Sequence, residues 1–335
     1  MIKGERQRLV SEAVFRPRGR ASQSVPAWCV EGGRLELISW LTANTATVVR
    51  TLSEEGGVCL RGFEALSTAD FATVTRLLCG SPIEYTERTT PRHLIDPLAQ
   101  VYTSTDYPSD QEIFLHNENA YASGWPAYLC FYCERPAESG GETPLADLKE
   151  VAGLLSPELT RRLRERGLLH RRTFIEGAGV SWQEAFGVSS IEDLRAHCNR
   201  AGLTLSVSRG RLRVEYPHSP YARHPRTGEP RWFNHAAFFQ ADKFEAQMVR
   251  ALHQLLGDQE LPNQILYGDG TPFEQSVIAE LTRAYRGAAV PHAWRANDVI
   301  VVDNMRFAHG RRPFAGRRRV WVSMAGELRR SDLLP

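Results

Sequence analysis

The spacing of apolar side chains changes period several times along the chain. Over 35–55 (LELISWLTANTATVVRTLSEE) apolar residues recur at helical intervals, and GVCLRGF (57–63), after a Gly–Gly pair, reads as a strand. TADFATVTRLLCG (68–80) predicts a helix, with Thr68 or Asp70 near its start and Gly80 at its end. Residues 81–112 are rich in Thr, Pro and Asp and read as irregular. Two strand-like runs follow, EIFLHNENAY (112–121) and WPAYLCFYCERP (125–136), closed by a Gly–Gly turn. Residues 146–167 are helical in pattern. From 168 to 240 short β runs (LHRRTF, LTLSV, RLRVEY, RWFNHAAFF) mix with one helix near 190–201. Long helices fit 241–256 and 272–287, and the tail returns to β in HAWRANDVIVVDN and RRRVWVSMAGEL.

The β runs near 115–135 thus lie far in sequence from those near 293–328, which suits neither a helical bundle nor a regularly alternating βαβ chain. The expected fold is mixed with a β-core: a double-stranded β-helix, or distorted jelly roll, with surrounding helices. A large insertion, about 146–290, separates core strands near 112–136 and 293–328. Residues 1–30 are expected to form an N-terminal leader and 31–335 a single domain.

Composition adds exclusions more than assignments. Hydrophobic residues make up 42% and charged residues 24%, ordinary globular usage. The 41 basic against 39 acidic residues leave a net charge of +2, so no field of one sign points to nucleic acid or an anionic membrane. No run approaches the roughly 18 apolar residues of a membrane span, and the charged N-terminus lacks the apolar segment of a secretory signal. A cytoplasmic location is expected. Of the six cysteines, only Cys130 and Cys133 are closely spaced. They sit in an apolar strand-like run where positions three apart face opposite sides, so the thiols are expected to be reduced and structural.

The chemistry concentrates in FLHNENAY. His116 and Glu118 stand two apart, which on a strand puts both side chains on one face. His309, in DNMRFAHGRRPF, can bring a second imidazole from a remote strand. Two imidazoles and one carboxylate form the facial set that holds iron(II) and leaves three positions open, two for a chelating 2-oxo acid and one for O₂. GGETP places Thr143 after a flexible turn, where its hydroxyl can donate to a carboxylate. Arg317, Arg318 and Arg319 begin the last strand, and a guanidinium is the natural bidentate partner of a distal carboxylate. Adjacent strand residues face opposite sides, so Arg318 and Arg319 cannot both point inward, and parity alone leaves the choice open.

Taken together, the HxE segment, the GGET turn, the late His and the arginines on the following strand resemble the taurine dioxygenase and clavaminate synthase-like superfamily. The match is sharpest to its syringomycin-cluster β-hydroxylase-like branch. The segments that carry it are YTERTTPR, VYTSTDYP, LHNENAY, FYCERPAESGGETPLADL, RWFNHAAFF, LPNQILYGDGTPFE and DNMRFAHGRRPFAGRRRVWVSM, from about 84 to 328. The resemblance implies iron(II) as cofactor with 2-oxoglutarate and O₂ as cosubstrates. It implies His116, Glu118 and His309 as catalytic metal ligands and Thr143 with Arg319 or Arg318, Arg319 slightly preferred, as 2-oxoglutarate contacts. Glu118 stands where taurine dioxygenase has Asp, and Ser323 where that enzyme has a second arginine for its sulfonate, which argues against a sulfonate substrate. A carboxylate ligand argues against the halogenating variant of the site.

The function this implies is hydroxylation of an unactivated C–H bond of an amino-acid-derived substrate, free or tethered to a carrier protein, in natural-product biosynthesis. Asn119, Arg92, Tyr121 and His235 are candidate substrate contacts. Desaturation or epoxidation at the same iron site, a non-catalytic jelly roll binding a small acid, and a zinc hydrolase remain alternatives. Oligomeric state is not legible.

Overall fold

The run Val299–Asp303 contains four consecutive β-branched residues, and both its faces are covered. Val299 and Val301 pack on one side among Leu41, Leu52, Phe71 and Val74, which belong to the helices Leu37–Glu55 and Thr68–Cys79. Ile300 and Val302 pack on the other side against Leu145 and Phe307. A strand buried on both faces loses the alternation of a half-exposed one, which is why its sequence reads as continuously apolar. Each valine or isoleucine so buried contributes roughly 1.5–3 kcal/mol.

The computed structural model describes residues 13–16, 25–30, 35–84, 93–174, 180–208, 211–243, 246–256 and 261–333. Among them, Val299–Asp303 is central to an eight-stranded sheet. In spatial order that sheet runs Ala13–Arg16, Ala27–Val30, Gly57–Arg61, Val299–Asp303, Gly124–Arg135, Arg319–Arg329, Val101–Thr103, Leu94–Asp96. Only the Ala27–Val30 and Gly57–Arg61 pair is parallel among these strands. A four-stranded antiparallel sheet, ordered Ala289–His292, Thr143–Asp147, Phe307–Arg311, Ile113–His116, packs against its inner face through Leu145 and Phe307. The chain is thus a mixed α/β structure built on a large sheet.

Between Asp147 and Ala289 the chain adds helices and a second four-stranded sheet, Thr204–Ser208, Arg211–His218, Leu168–Phe174, Asn263–Tyr267. Ile265, Tyr267, Leu281 and Tyr285 from this stretch share a core with Phe114, Tyr121 and Trp125, so the added region is packed directly behind the strand that carries His116.

Several elements differ from the sequence reading. The helical stretch 146–167 is two helices, Leu148–Gly153 and Pro157–Arg166. The break lies at Ser156, whose hydroxyl accepts from Leu159 N–H and whose next residue, Pro157, starts a helix but cannot continue one. The irregular stretch 81–112 contains the short strands Leu94–Asp96 and Val101–Thr103. RWFNHAAFF is β only through Trp232, because the Asn234 side chain accepts from Ala236 N–H at 2.9 Å and turns the backbone. Residues 13–16, inside the expected leader, pair with Ala27–Val30. Cys130 and Cys133 do lie in cores on opposite faces of their strand, and all six cysteines are free thiols.

Candidate active site

His116 ends the strand Ile113–His116 and stands opposite His309 of Phe307–Arg311 in the sheet register. Their rings lie 4.4 Å apart between centroids. His116 Nδ1 is 2.9 Å from the Phe114 carbonyl oxygen, which only accepts, so Nδ1 carries the proton and Nε2 is the nitrogen with a lone pair suited to a metal. His309 is buried and packs on Phe131, with ring centroids 5.4 Å apart.

Glu118 reaches the same place by a different route from the one its spacing suggests. The strand stops at His116, and residues 118–121 form a turn. Two asparagines build it. Asn117 donates from Nδ2 to the carbonyls of Asn304, at 2.6 Å, and Phe307, at 3.1 Å. Asn119 takes a left-handed φ of 53°, which asparagine tolerates better than other non-glycine residues. Asn304 then closes the turn: its Oδ1 accepts from Glu118 N–H at 2.8 Å, and its Nδ2 donates to the Glu118 carbonyl at 2.9 Å. His235 supports it from behind by donating from Nε2 to the Asn117 carbonyl at 2.6 Å.

The outcome is a convergent donor set. One ligand atom from each of His116, Glu118 and His309 lies within 4.8 Å of the others, and His309 Nε2 to Glu118 Oε2 is 3.9 Å. Donors on one ion at roughly 2 Å each sit at most about 4 Å apart, so small side-chain adjustments suffice for all three to share a metal. Two imidazole nitrogens and one carboxylate form a donor set suited to iron(II).

The two candidate arginines are separated by the register of the last strand. Val320, Val322 and Met324 face the space between the sheets, whereas Trp321 faces the outer helices. Arg319 lies on the Trp321 side and shares Glu134 with it, at 3.1 Å from Arg319 Nη1 and 2.9 Å from Trp321 Nε1. Arg318 is turned the other way, donating from Nε to the Gly141 carbonyl at 3.1 Å. Among the described residues it has no acidic partner, and burial, followed by the neighbouring Arg311, lowers its pKa to about 10. A buried cation without a counter-charge is a site for an anion. Thr143 begins the adjacent strand, and its hydroxyl accepts from Trp294 Nε1 at 2.9 Å. Ser323 lies opposite Cys130, on the outward side, so the inner positions beside it are Val322 and Met324.

Of the candidate substrate contacts, Asn119 borders a cleft of about 850 Å³ together with Trp125, Tyr216, Met324 and Arg330. Tyr121 is buried beneath the turn, where its hydroxyl donates to Asn119 Oδ1 at 3.1 Å and its ring meets His170 and His235, both at 5.1 Å. His235 is equally buried. Burial first, and then His116, holds it well below the ordinary imidazole range, so it is a neutral donor. Arg92 lies outside the described residues. Sequence reasoning missed Asn304 and Trp294; the only signal for the first was a polar DN pair directly after a fully apolar strand.

A large sheet closed by a smaller one brings two histidines and a glutamate together as a group that could hold a metal ion. The chain belongs to the Taurine catabolism dioxygenase TauD, TfdA family, whose profile matches residues 21–324. It is 34% identical over 275 residues to the dapdiamide synthesis protein DdaC of Enterobacter agglomerans, covering 82% of this chain and 83% of that one. A clavaminate synthase-like protein of Arabidopsis thaliana is 28% identical over 285 residues, covering 82% of each. The fold is similar to that of PvcB from Pseudomonas aeruginosa, with a TM-score of 0.54 at 16% identity, over 97% of this chain and 94% of that one. It is also similar to an asparagine oxygenase solved with Fe(II), 3-hydroxyasparagine and succinate, with a TM-score of 0.51 at 15% identity, over 97% and 89%.

Proposed function

We propose that this protein is an iron(II)- and 2-oxoglutarate-dependent oxygenase that hydroxylates an unactivated C–H bond of an amino-acid-derived substrate in natural-product biosynthesis. The observation that carries the reading is the convergence of His116, Glu118 and His309 within 4.8 Å, with the partly buried Arg318 held on the Gly141 carbonyl just before Thr143–Asp147, the strand that pairs with the one bearing His309. The two packed sheets make up the double-stranded β-helix of the family.

Iron(II), with 2-oxoglutarate and O₂, supplies the oxidant for the C–H bond. The chain's residues do the rest. His116, Glu118 and His309 hold the metal, and Asn304 and His235 keep the Glu118 turn from relaxing. Arg318, with Thr143, holds the distal carboxylate of 2-oxoglutarate; Arg319, committed to Glu134 on the outer face, does not take part. The apolar inner side chains Phe131, Val320, Val322 and Met324 exclude water around the reacting centre. The cleft bordered by Asn119 admits the substrate. Biosynthesis is supported by the relative's role in dapdiamide synthesis and by the resemblance to the syringomycin-cluster branch, in which the substrate arrives free or on a carrier protein.

Succinate formation from 2-oxoglutarate, with matching O₂ consumption, tests the reading. Wild-type protein with iron(II) should form succinate, and His116→Ala should reduce it to background while remaining folded. Undiminished turnover in the variant, or none in the wild type with iron(II) and amino-acid substrates, would overturn it.

A further inference from the structure

A second buried group, Cys59, His292 and Asp298, also brings its ligand atoms within 4.8 Å of one another. Its chemistry differs from that of the first. Both Asp298 oxygens are taken by Arg61, whose Nε is 2.9 Å from Oδ1 and whose Nη2 is 2.6 Å from Oδ2. A cation cannot settle on that carboxylate without displacing a guanidinium, and burial, followed by Asp298, pushes the Cys59 thiol far above its usual range. The group is a brace, and what it braces is the loop after Ala289–His292. Arg61 Nη2 donates to the Ala293 carbonyl at 2.9 Å, and Arg295 N–H donates to Asp298 Oδ2 at 2.8 Å. Both neighbours of Trp294 are therefore pinned by one ion pair. The His292 ring meets the indole edge-on, with centroids 5.0 Å apart.

The indole so held donates from Nε1 to Thr143 Oγ1 at 2.9 Å. An indole N–H can only donate, so the direction of this bond is fixed, and the threonine oxygen is the acceptor. A hydroxyl has one hydrogen, which the bond leaves unspent. With Trp294 occupying one lone-pair direction, that hydrogen is turned away from the indole. Two residues upstream of Thr143, the Gly141 carbonyl accepts from Arg318 Nε at 3.1 Å, so this guanidinium is held beside the start of the strand that Thr143 opens. We infer that Trp294 is a positioning residue for 2-oxoglutarate: by donating to Thr143 it directs the Thr143 hydroxyl to donate to the distal carboxylate gripped by Arg318, and the Arg61–Asp298 pair holds Trp294 in place. This rests on the assignment of Thr143 and Arg318 to 2-oxoglutarate made above.

Oxygen-free calorimetric titration of the iron(II)-loaded protein with 2-oxoglutarate, and in parallel with 2-oxobutyrate, which lacks the distal carboxylate, tests the inference. A hydrogen bond to a charged group is worth about tenfold or more in affinity. Trp294→Phe, which keeps a ring but no donor, should therefore weaken 2-oxoglutarate about tenfold and leave 2-oxobutyrate unchanged. Thr143→Val should do the same, Thr143→Ser should restore wild-type behaviour, and the double variant should be no weaker than Thr143→Val alone. Because the ratio of the two ligands is read on one iron-loaded sample, a general loss of folding cannot imitate it. Wild-type affinity in Trp294→Phe, or additive losses in the double variant, would overturn the inference while leaving the oxygenase reading intact. A wild type that binds no 2-oxoglutarate would overturn both.

Discussion

Asn304 shows how much of the proposed metal site lies in side chains that would never touch the metal. Fully buried, it accepts from Glu118 N–H and donates to the Glu118 and Pro126 carbonyls, so it fixes a turn that would otherwise swing the carboxylate away. Outer partners of this kind typically govern metal affinity by about 10–100-fold. Asn304→Ala should weaken iron(II) binding by that order in an oxygen-free titration while preserving its one-to-one stoichiometry. An unchanged affinity would remove Asn304 from the account. Sequence alone proposes His116, Glu118 and His309 because they are residue types that ligate, and the fold brings their ligand atoms within 4.8 Å of one another. Asn304 was not, because its partner lies 186 residues away and asparagine has many ordinary uses. The choice between Arg318 and Arg319 was half legible. Alternation says that one points inward, but only the placement of Trp321 against the outer helices says which.

Two short strands carry the histidines, and their closeness depends on a residue with no side chain. A Cβ on Gly310 would stand 2.6 Å from the Ile113 carbonyl oxygen and 3.3 Å from Leu115 N, both backbone atoms of the strand that ends in His116. Backbone cannot give way as a side chain can, so Gly310→Ala should force Phe307–Arg311 and Ile113–His116 apart. The expected result is a melting temperature lowered by the equivalent of about 1–3 kcal/mol and a measurable loss of iron affinity; wild-type values for both would show that the strands tolerate the separation. The same strand marks a limit of pattern reading. His309 was expected on a remote strand, but FAHGR has neither alternation nor a run of β-branched residues to bound it, and pairing on both sides by Thr143–Asp147 and Ile113–His116 forms Phe307–Arg311. Conversely, EIFLHNENAY promised a longer strand than the four residues found, because Asn117 and Asn119 spend their side chains on a turn.

At the scale of the molecule, the residues added between Asp147 and Ala289 bury histidines away from the metal. His170 and His218 lie on paired strands, opposite Tyr216 and Leu168 respectively. Burial first, and then nearby cations, lowers both, His218 to about 3. An unfolded histidine titrates near pH 6.5, so below that pH the unfolded chain takes up protons that the folded chain refuses. Stability should be full above about pH 6.5 and fall as the pH drops from there toward 3, with each histidine adding up to about 1.4 kcal/mol per pH unit. Melting temperatures measured from pH 8 to 5 should be flat at first and then decline; a level curve down to pH 5 would mean these imidazoles are not held neutral. The long gap between the β runs was enough to foresee a core interrupted by a large mixed region. His235 was a candidate substrate contact from sequence, but its place behind the strand that ends in His116, on the Asn117 carbonyl, was not foreseeable, because it depends on contacts between segments more than 100 residues apart.

Oxygen-free titration of iron(II), followed by 2-oxoglutarate, tests the proposed iron site itself. One iron(II) should bind per chain, 2-oxoglutarate should bind only with that iron present, and Glu118→Ala should lose both. Full iron uptake by Glu118→Ala, or 2-oxoglutarate binding that ignores the metal, would contradict the assignment.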